Sequence, residues 1–188
     1  MKSSLKIWGL AAVLAVQFAA LGWIIARYER VVLGGVECRF ACQAYDPYDP
    51  FRGRFLRMQV REDCPLVPGF EPDHWKFEAF VQIDPVGGTN GLAKVVECAP
   101  QPGAEGLWVR MDRLYKSGSM AQVNFPNQFF MNERLAPAAE RILRERMTSA
   151  VAVYRVTPSG MVLTDIEIDG TPIAELAKKA GADKGSAR

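Results

Sequence analysis

Tyr45 to Val60 reads YDPYDPFRGRFLRMQV. It opens with two Asp-Pro pairs, Asp46-Pro47 and Asp49-Pro50. A residue before proline is pushed out of the α region towards extended geometry. Proline then fixes its own φ and offers no N–H. Asp46 to Pro50 is therefore neither helix nor central strand, and a stiff turned loop satisfies both restrictions. Gly53 follows, a residue suited to positive φ or to close backbone approach. From Arg54 the pattern changes. Leu56, Met58 and Val60 alternate with Arg57, Gln59 and Arg61, the period of a strand with one buried face. Phe55 falls on the polar side, where it can cover an edge. The stretch thus reads as a rigid turn feeding a strand, with Arg52 or Arg54 neutralising an aspartate. Asp46, Asp49 and Arg52 also make a candidate binding site, although Asp-Pro pairs are common loop punctuation.

Upstream, Met1 to Lys6 is short and basic, and Ile7 to Ala26 is apolar apart from Gln17. Twenty helical residues rise about 30 Å, the depth of a bilayer's hydrocarbon core. Trp8 and Trp23 sit near the ends of the run, where indole rings favour the membrane interface. Cleavage as a signal peptide near Ala20 or Gly22 would leave an apolar stub, Trp23 to Ala26, and the run is long for such a peptide. The expectation is a retained anchor over residues 1–30, with Ile7 to Ala26 in lipid. Lys2 and Lys6 oppose Arg27 and Arg30, so counting basic residues nearly ties. The export-like layout of the N-terminus places the domain outside the inner membrane, on the periplasmic or extracellular side.

Downstream, residues 31–173 carry about eight short apolar-patterned segments separated by Gly and Pro turns. Trp75–Ile83 and Leu92–Cys98 suggest a hairpin. Leu107–Met111 and Met120–Phe125 are further strands, with Arg113–Ser119 as a connection. Ala150–Thr157 and Met161–Ile168 flank Pro158-Ser159-Gly160. Glu133–Met147 is the one helical pattern, with Asn132 as a plausible cap and Pro137 tolerable only in the first turn. The expected fold class is mainly β: one N-terminal transmembrane helix, then a β-barrel or sandwich with one packed α-helix. Residues 174–188 read as a flexible basic tail.

Two stretches carry a family resemblance. DPYDPFRG, Asp46 to Gly53, is followed by GRFLRMQV, and NQFFMNE spans Asn127 to Glu133. The chain resembles the membrane-anchored proteins named for a GDYXXLXY motif, from the anchor to about Ile173. Their acid is replaced by Arg54, and Phe55, Met58 and Val60 keep apolar character where the family has Tyr, Leu and Tyr. Phe129, Phe130 and Glu133 match the second patch. The resemblance implies an anchored β-domain and no particular activity. It marks Asp46, Pro47, Asp49, Pro50, Arg52, Gly53, Phe55, Met58, Phe130 and Glu133 as a ligand-binding or structural motif.

The four cysteines are Cys38, Cys42, Cys64 and Cys98. In an exported domain they suggest two disulfides with three possible pairings. Cys38–Cys42 with Cys64–Cys98 is the expectation. The first pair lies about 13 Å apart on a regular strand and so needs a turn between its members. Reduced buried thiols and a metal site are the alternatives, the latter weakened by the lack of a second close pair.

The net charge of +2 and the absence of a basic stripe exclude a nucleic-acid footprint. No phosphate loop, dinucleotide fingerprint or Gly-x-Ser-x-Gly elbow occurs, and His74 is the sole histidine. No cofactor, metal or catalytic set is expected. The functional expectation is an anchored accessory or binding module that partners another membrane or envelope protein. The alternative is a membrane-bound hydrolase using Asp46, Asp49 and Glu133.

Overall fold

The computed structural model describes residues 2–44, 55–146 and 149–185. Helix α1 spans Lys2–Gly34, two turns beyond the expected anchor. Its apolar stretch Trp8–Gly34 has no part of its most apolar window buried in the protein. Leu14, Phe18, Trp23 and Ile25 all face outward. By length and composition this stretch is long and apolar enough to cross a membrane.

Val31 lies in the last turn of α1 and is buried. There the helix meets the domain without a linker. The Gly35 N–H donates to the Val31 carbonyl at 2.9 Å. A Cβ on Gly35 would lie 2.5 Å from that oxygen and 2.9 Å from the Val156 nitrogen. Only glycine lets the chain turn this close to its neighbours.

Three sheets follow. The first orders β1 (Val36–Ala41), β10 (Ala150–Thr157), β11 (Gly160–Ile168) and β12 (Thr171–Pro172) side by side. β10 and β11 form the hairpin that the sequence announced, pairing Thr157 with Gly160. The second contains β2 (Gln43–Ala44), β3 (Phe55–Gln59) and β9 (Gln128–Phe130).

The third orders β4 (Asp63–Pro65), β8 (Met120–Val123), β7 (Leu107–Ser117), β5 (Lys76–Asp84) and β6 (Lys94–Ala99). It curls until its edges meet. Leu66 bridges Cys98 in parallel, and the Val67 N–H donates to the Cys98 carbonyl at 3.0 Å. The result is a near-closed five-stranded barrel with its seam between β4 and β6. Closing a sheet on itself removes the exposed edges that otherwise invite foreign strands.

Alternation explains most of the core. Ala79, Val81 and Ile83 of β5 are buried, as are Leu56, Met58 and Val60. The expected connection at Arg113–Ser119 is corrected: its first five residues continue β7, which runs to Ser117. The register against β5 slips between Phe77 and Ala79. Met111 and Leu114 are both buried at a spacing of three. Such a bulge breaks the period of two by which a strand is recognised.

Tyr154, Phe40 and Phe125 form a three-ring cluster with centroids 4.9–5.9 Å apart. The Tyr154 hydroxyl donates to the Pro126 carbonyl at 2.9 Å, and burial holds its pKa far above the usual phenol range.

Helix α2 (Ala136–Glu145) begins with Pro137 in its first turn and buries Ala136, Ala139 and Leu143. Asn132 caps a preceding turn instead, its Oδ1 accepting from the Arg134 N–H at 2.9 Å. The tail expected after residue 173 is helical: α3 (Ile173–Gly185) buries Ile173 and Ala177 and packs beside α2. Two helices, not one, therefore cover the sheets. Alanine-rich sequence is a strong helix former even without an obvious apolar stripe.

All four cysteines are buried free thiols. The pairing of Cys38 with Cys42 is corrected. β1 runs in unbroken register against β10 from Val36 to Ala41, and the Cys42 N–H continues it to the Ala150 carbonyl. No turn shortens their separation of about 13 Å. Burial pushes the Cys38 thiol up to about 11, with a smaller contribution from Glu37, and the Cys42 thiol up to about 12.

Candidate functional site

The two motif stretches, about seventy residues apart in sequence, become adjacent antiparallel strands. Phe55 pairs with Phe130, Leu56 with Phe129 and Arg57 with Gln128. The Met58 N–H then donates to the Asn127 carbonyl at 2.9 Å. Leu56 and Met58 point inward and hold β3 to the core, and Met58 is 1% exposed. Met58 packs in the core and also lines the groove described below. Phe130 faces outward at 70% exposure. Glu133 is exposed in the turn before α2. Asp46, Pro47, Asp49, Pro50, Arg52 and Gly53 lie outside the described residues, as does the side chain of Phe55.

Beside β3 lies a groove of about 290 Å³. Arg57, Gln59 and Asn127 line it from the motif strands, and Tyr115, Gln122 and Asn124 from the barrel. Strand alternation turns Arg57 and Gln59 away from the core, because Leu56, Met58 and Val60 take the inward positions. Gln59 accepts a bond from Arg61 at 3.4 Å. The Arg57 Nε is buried and has no hydrogen-bond partner among the described residues. A buried donor left unpaired costs about 1–3 kcal/mol, more when charged. Tyr115 is braced by Trp75, whose ring stacks at 5.1 Å and 26° while remaining 69% exposed. One cation, carboxamides and an aromatic ring can hold a carboxylate or a peptide-like segment through directed hydrogen bonds.

Glu62 marks the passage from the motif sheet to the barrel. Its carbonyl accepts from the Val123 N–H at 3.3 Å. Burial raises the pKa of its carboxyl, opposed by a hydrogen bond from the Val95 backbone. Among the described residues, no group of three His, Cys, Asp or Glu is placed to hold a metal ion.

Sequence reading singled out the motif strands but not the groove. Arg57 was legible only as a polar-face residue, and nothing in the sequence tied it to Gln122 or Asn124. The tie is tertiary, made where β8 crosses from the barrel towards β9.

Neither the curated proteins nor the solved structures yield a match. Residues 17–165 match the family model described as GDYXXLXY protein. That span takes in the second half of α1, both motif strands and most of the β10–β11 hairpin. It covers well over half of the sequence, and the chain belongs to the GDYXXLXY protein family.

Proposed function

We propose that this protein is a single-pass, membrane-anchored binding module of the bacterial envelope, without catalysis of its own. The observation that carries this reading is the Trp8–Gly34 helix, whose most apolar window is left entirely unburied by the domain. Its first part, Ile7 to Ala26, matches the hydrocarbon thickness. Its last two turns carry Arg27, Glu29 and Arg30 and end in the buried Val31 contact. Eight helical residues from Arg27 rise about 12 Å, so the domain stands close to the headgroups. A short stalk joined through Gly35 presents the β-domain to a neighbouring membrane or envelope protein rather than letting it roam.

The motif-strand groove is the binding face in this reading. Arg57 and the carboxamides would receive an acidic or peptide-like element of the partner. The anchor stays uncleaved, and the domain faces the periplasmic or extracellular side.

Crosslinking the intact protein in its membrane, followed by purification, tests the reading. One abundant membrane partner is the expected result, and the protein remains in the pellet after alkaline carbonate extraction. Release by carbonate, or a mature chain starting beyond Ala26, would sink it. So would substrate turnover by the isolated protein that is lost in Asp46→Ala.

A further inference from the structure

From the closure of the barrel we infer that Cys64 and Cys98 form a disulfide across its seam, while Cys38 and Cys42 remain thiols. The inference rests on the proposed placement of the domain in an oxidising compartment.

Cys64 lies on β4 and Cys98 on β6, the two edges of the five-stranded sheet. Elsewhere the sheet is held by longer ladders: β5 pairs with β7 from Lys76 to Ile83, with one bulge. At the seam one bridge, Leu66 with Cys98, and the bond from Val67 to Cys98 join the edges. Both cysteines have no exposed surface, and both side chains point into the core. The Cys98 thiol beside it, together with burial, pushes the Cys64 thiol well above the usual thiol range. The remaining contact of the Cys64 sulfur is a long one, 3.9 Å to the Pro65 carbonyl. A covalent link is thus available where the backbone pairing is thinnest. It would close a loop of about 35 residues and restrict the unfolded chain accordingly.

The oxidant is a protein disulfide of the thiol-oxidase class, acting by exchange. One cysteine, as thiolate, attacks the oxidant's disulfide. A mixed disulfide forms and the first oxidant thiolate leaves. The second cysteine, deprotonated in turn, attacks the sulfur of the first and expels the second oxidant thiolate. The protein loses two protons and two electrons, and the oxidant becomes a dithiol. Because both sulfurs are enclosed once the seam is shut, the exchange occurs during folding, before β4 meets β6. Cys38 and Cys42 take no part, because β1 runs extended in unbroken register and keeps them apart.

The test uses the full-length protein in membranes, acid-quenched, denatured and alkylated with and without prior reduction. Protease accessibility on intact and inverted vesicles is measured in parallel. The expected masses show two alkylated cysteines, Cys38 and Cys42, without reductant and four after it. A peptide map recovers the Cys64–Cys98 link, and Cys38→Ser/Cys42→Ser leaves that link intact. Reduction of the wild-type protein in detergent lowers its Tm by about 10 °C. Four free thiols in a domain protected from the cytoplasmic side would overturn the bridge and leave the envelope placement standing. A domain exposed to the cytoplasm would overturn both. A bridge involving Cys38 or Cys42 would overturn the pairing alone.

Discussion

The barrel and the motif sheet divide the domain's work between them. The barrel is built around the long strands β5 and β7, of nine and eleven residues, and shuts on itself. The motif sheet has strands of two, five and three residues. Yet the motif sheet carries the exposed Phe130, the unpaired Arg57 and one wall of the groove. Stability concentrates where ladders are long and apolar side chains interdigitate. Recognition concentrates where polar groups are left with hydrogen-bonding capacity to spare. The difference suggests that the family-defining strands are held in place by the barrel instead of contributing most of the fold's stability.

Cutting into the barrel should give the largest effect. Leu114 is fully enclosed on β7. Leu114→Ala leaves a cavity and should cost roughly 3 kcal/mol by denaturant unfolding of the soluble domain. Phe129→Ala, in the half-buried motif sheet, should cost clearly less. Equal losses would erase the distinction between the two regions.

Next in size is the junction with the anchor. Gly35→Ala forces a methyl group against the Val31 carbonyl and the Val156 nitrogen. It should destabilise by about 2 kcal/mol through overpacking. It should also loosen α1 from β10, which hydrogen exchange at Val156 would report.

Tyr154→Phe keeps the three-ring packing and orphans only the Pro126 carbonyl. A loss of about 1 kcal/mol is expected. A loss as large as that of Leu114→Ala would mean the hydroxyl organises the loop leading to β9.

Arg57→Met should behave in the opposite way. It removes an unpaired buried donor, so stability stays level or rises slightly. Recovery of the crosslinked partner should fall about tenfold, because hydrogen bonds to a charged group are among the stronger ones. A variant that binds as before would move recognition away from this groove.

The smallest expected effect is the pH response of Glu62. Its folded pKa is raised by burial, so the folded state holds the proton more tightly than the unfolded chain. The resulting stabilisation is complete below the ordinary glutamate range and is lost as pH rises through the raised folded value. Thermal melts across the acidic range to neutrality should show this component in the wild type and not in Glu62→Gln. An identical pH profile in both would assign it elsewhere.

Much of the architecture was readable before any coordinate. Twenty apolar residues announce the long N-terminal helix, and helix rise sets its length against a bilayer's thickness. The β10–β11 hairpin and the alternation of Leu56, Met58 and Val60 follow from a period of two with one buried face. Those are local signals, and local chemistry suffices to read them. The bulge in β7, the helix after Ile173 and the lone positions of Cys38 and Cys42 were not readable. Each depends on what the opposing element offers. The groove depends on this most of all, since Arg57 and Gln122 meet only when β3 and β8 are laid against one another. Sequence alone therefore determined the apolar N-terminal helix, the strand chemistry and the family. Tertiary structure decided which polar side chains face one another and which cysteines lie on the two edges of the barrel seam, because those placements join residues that only folding brings together.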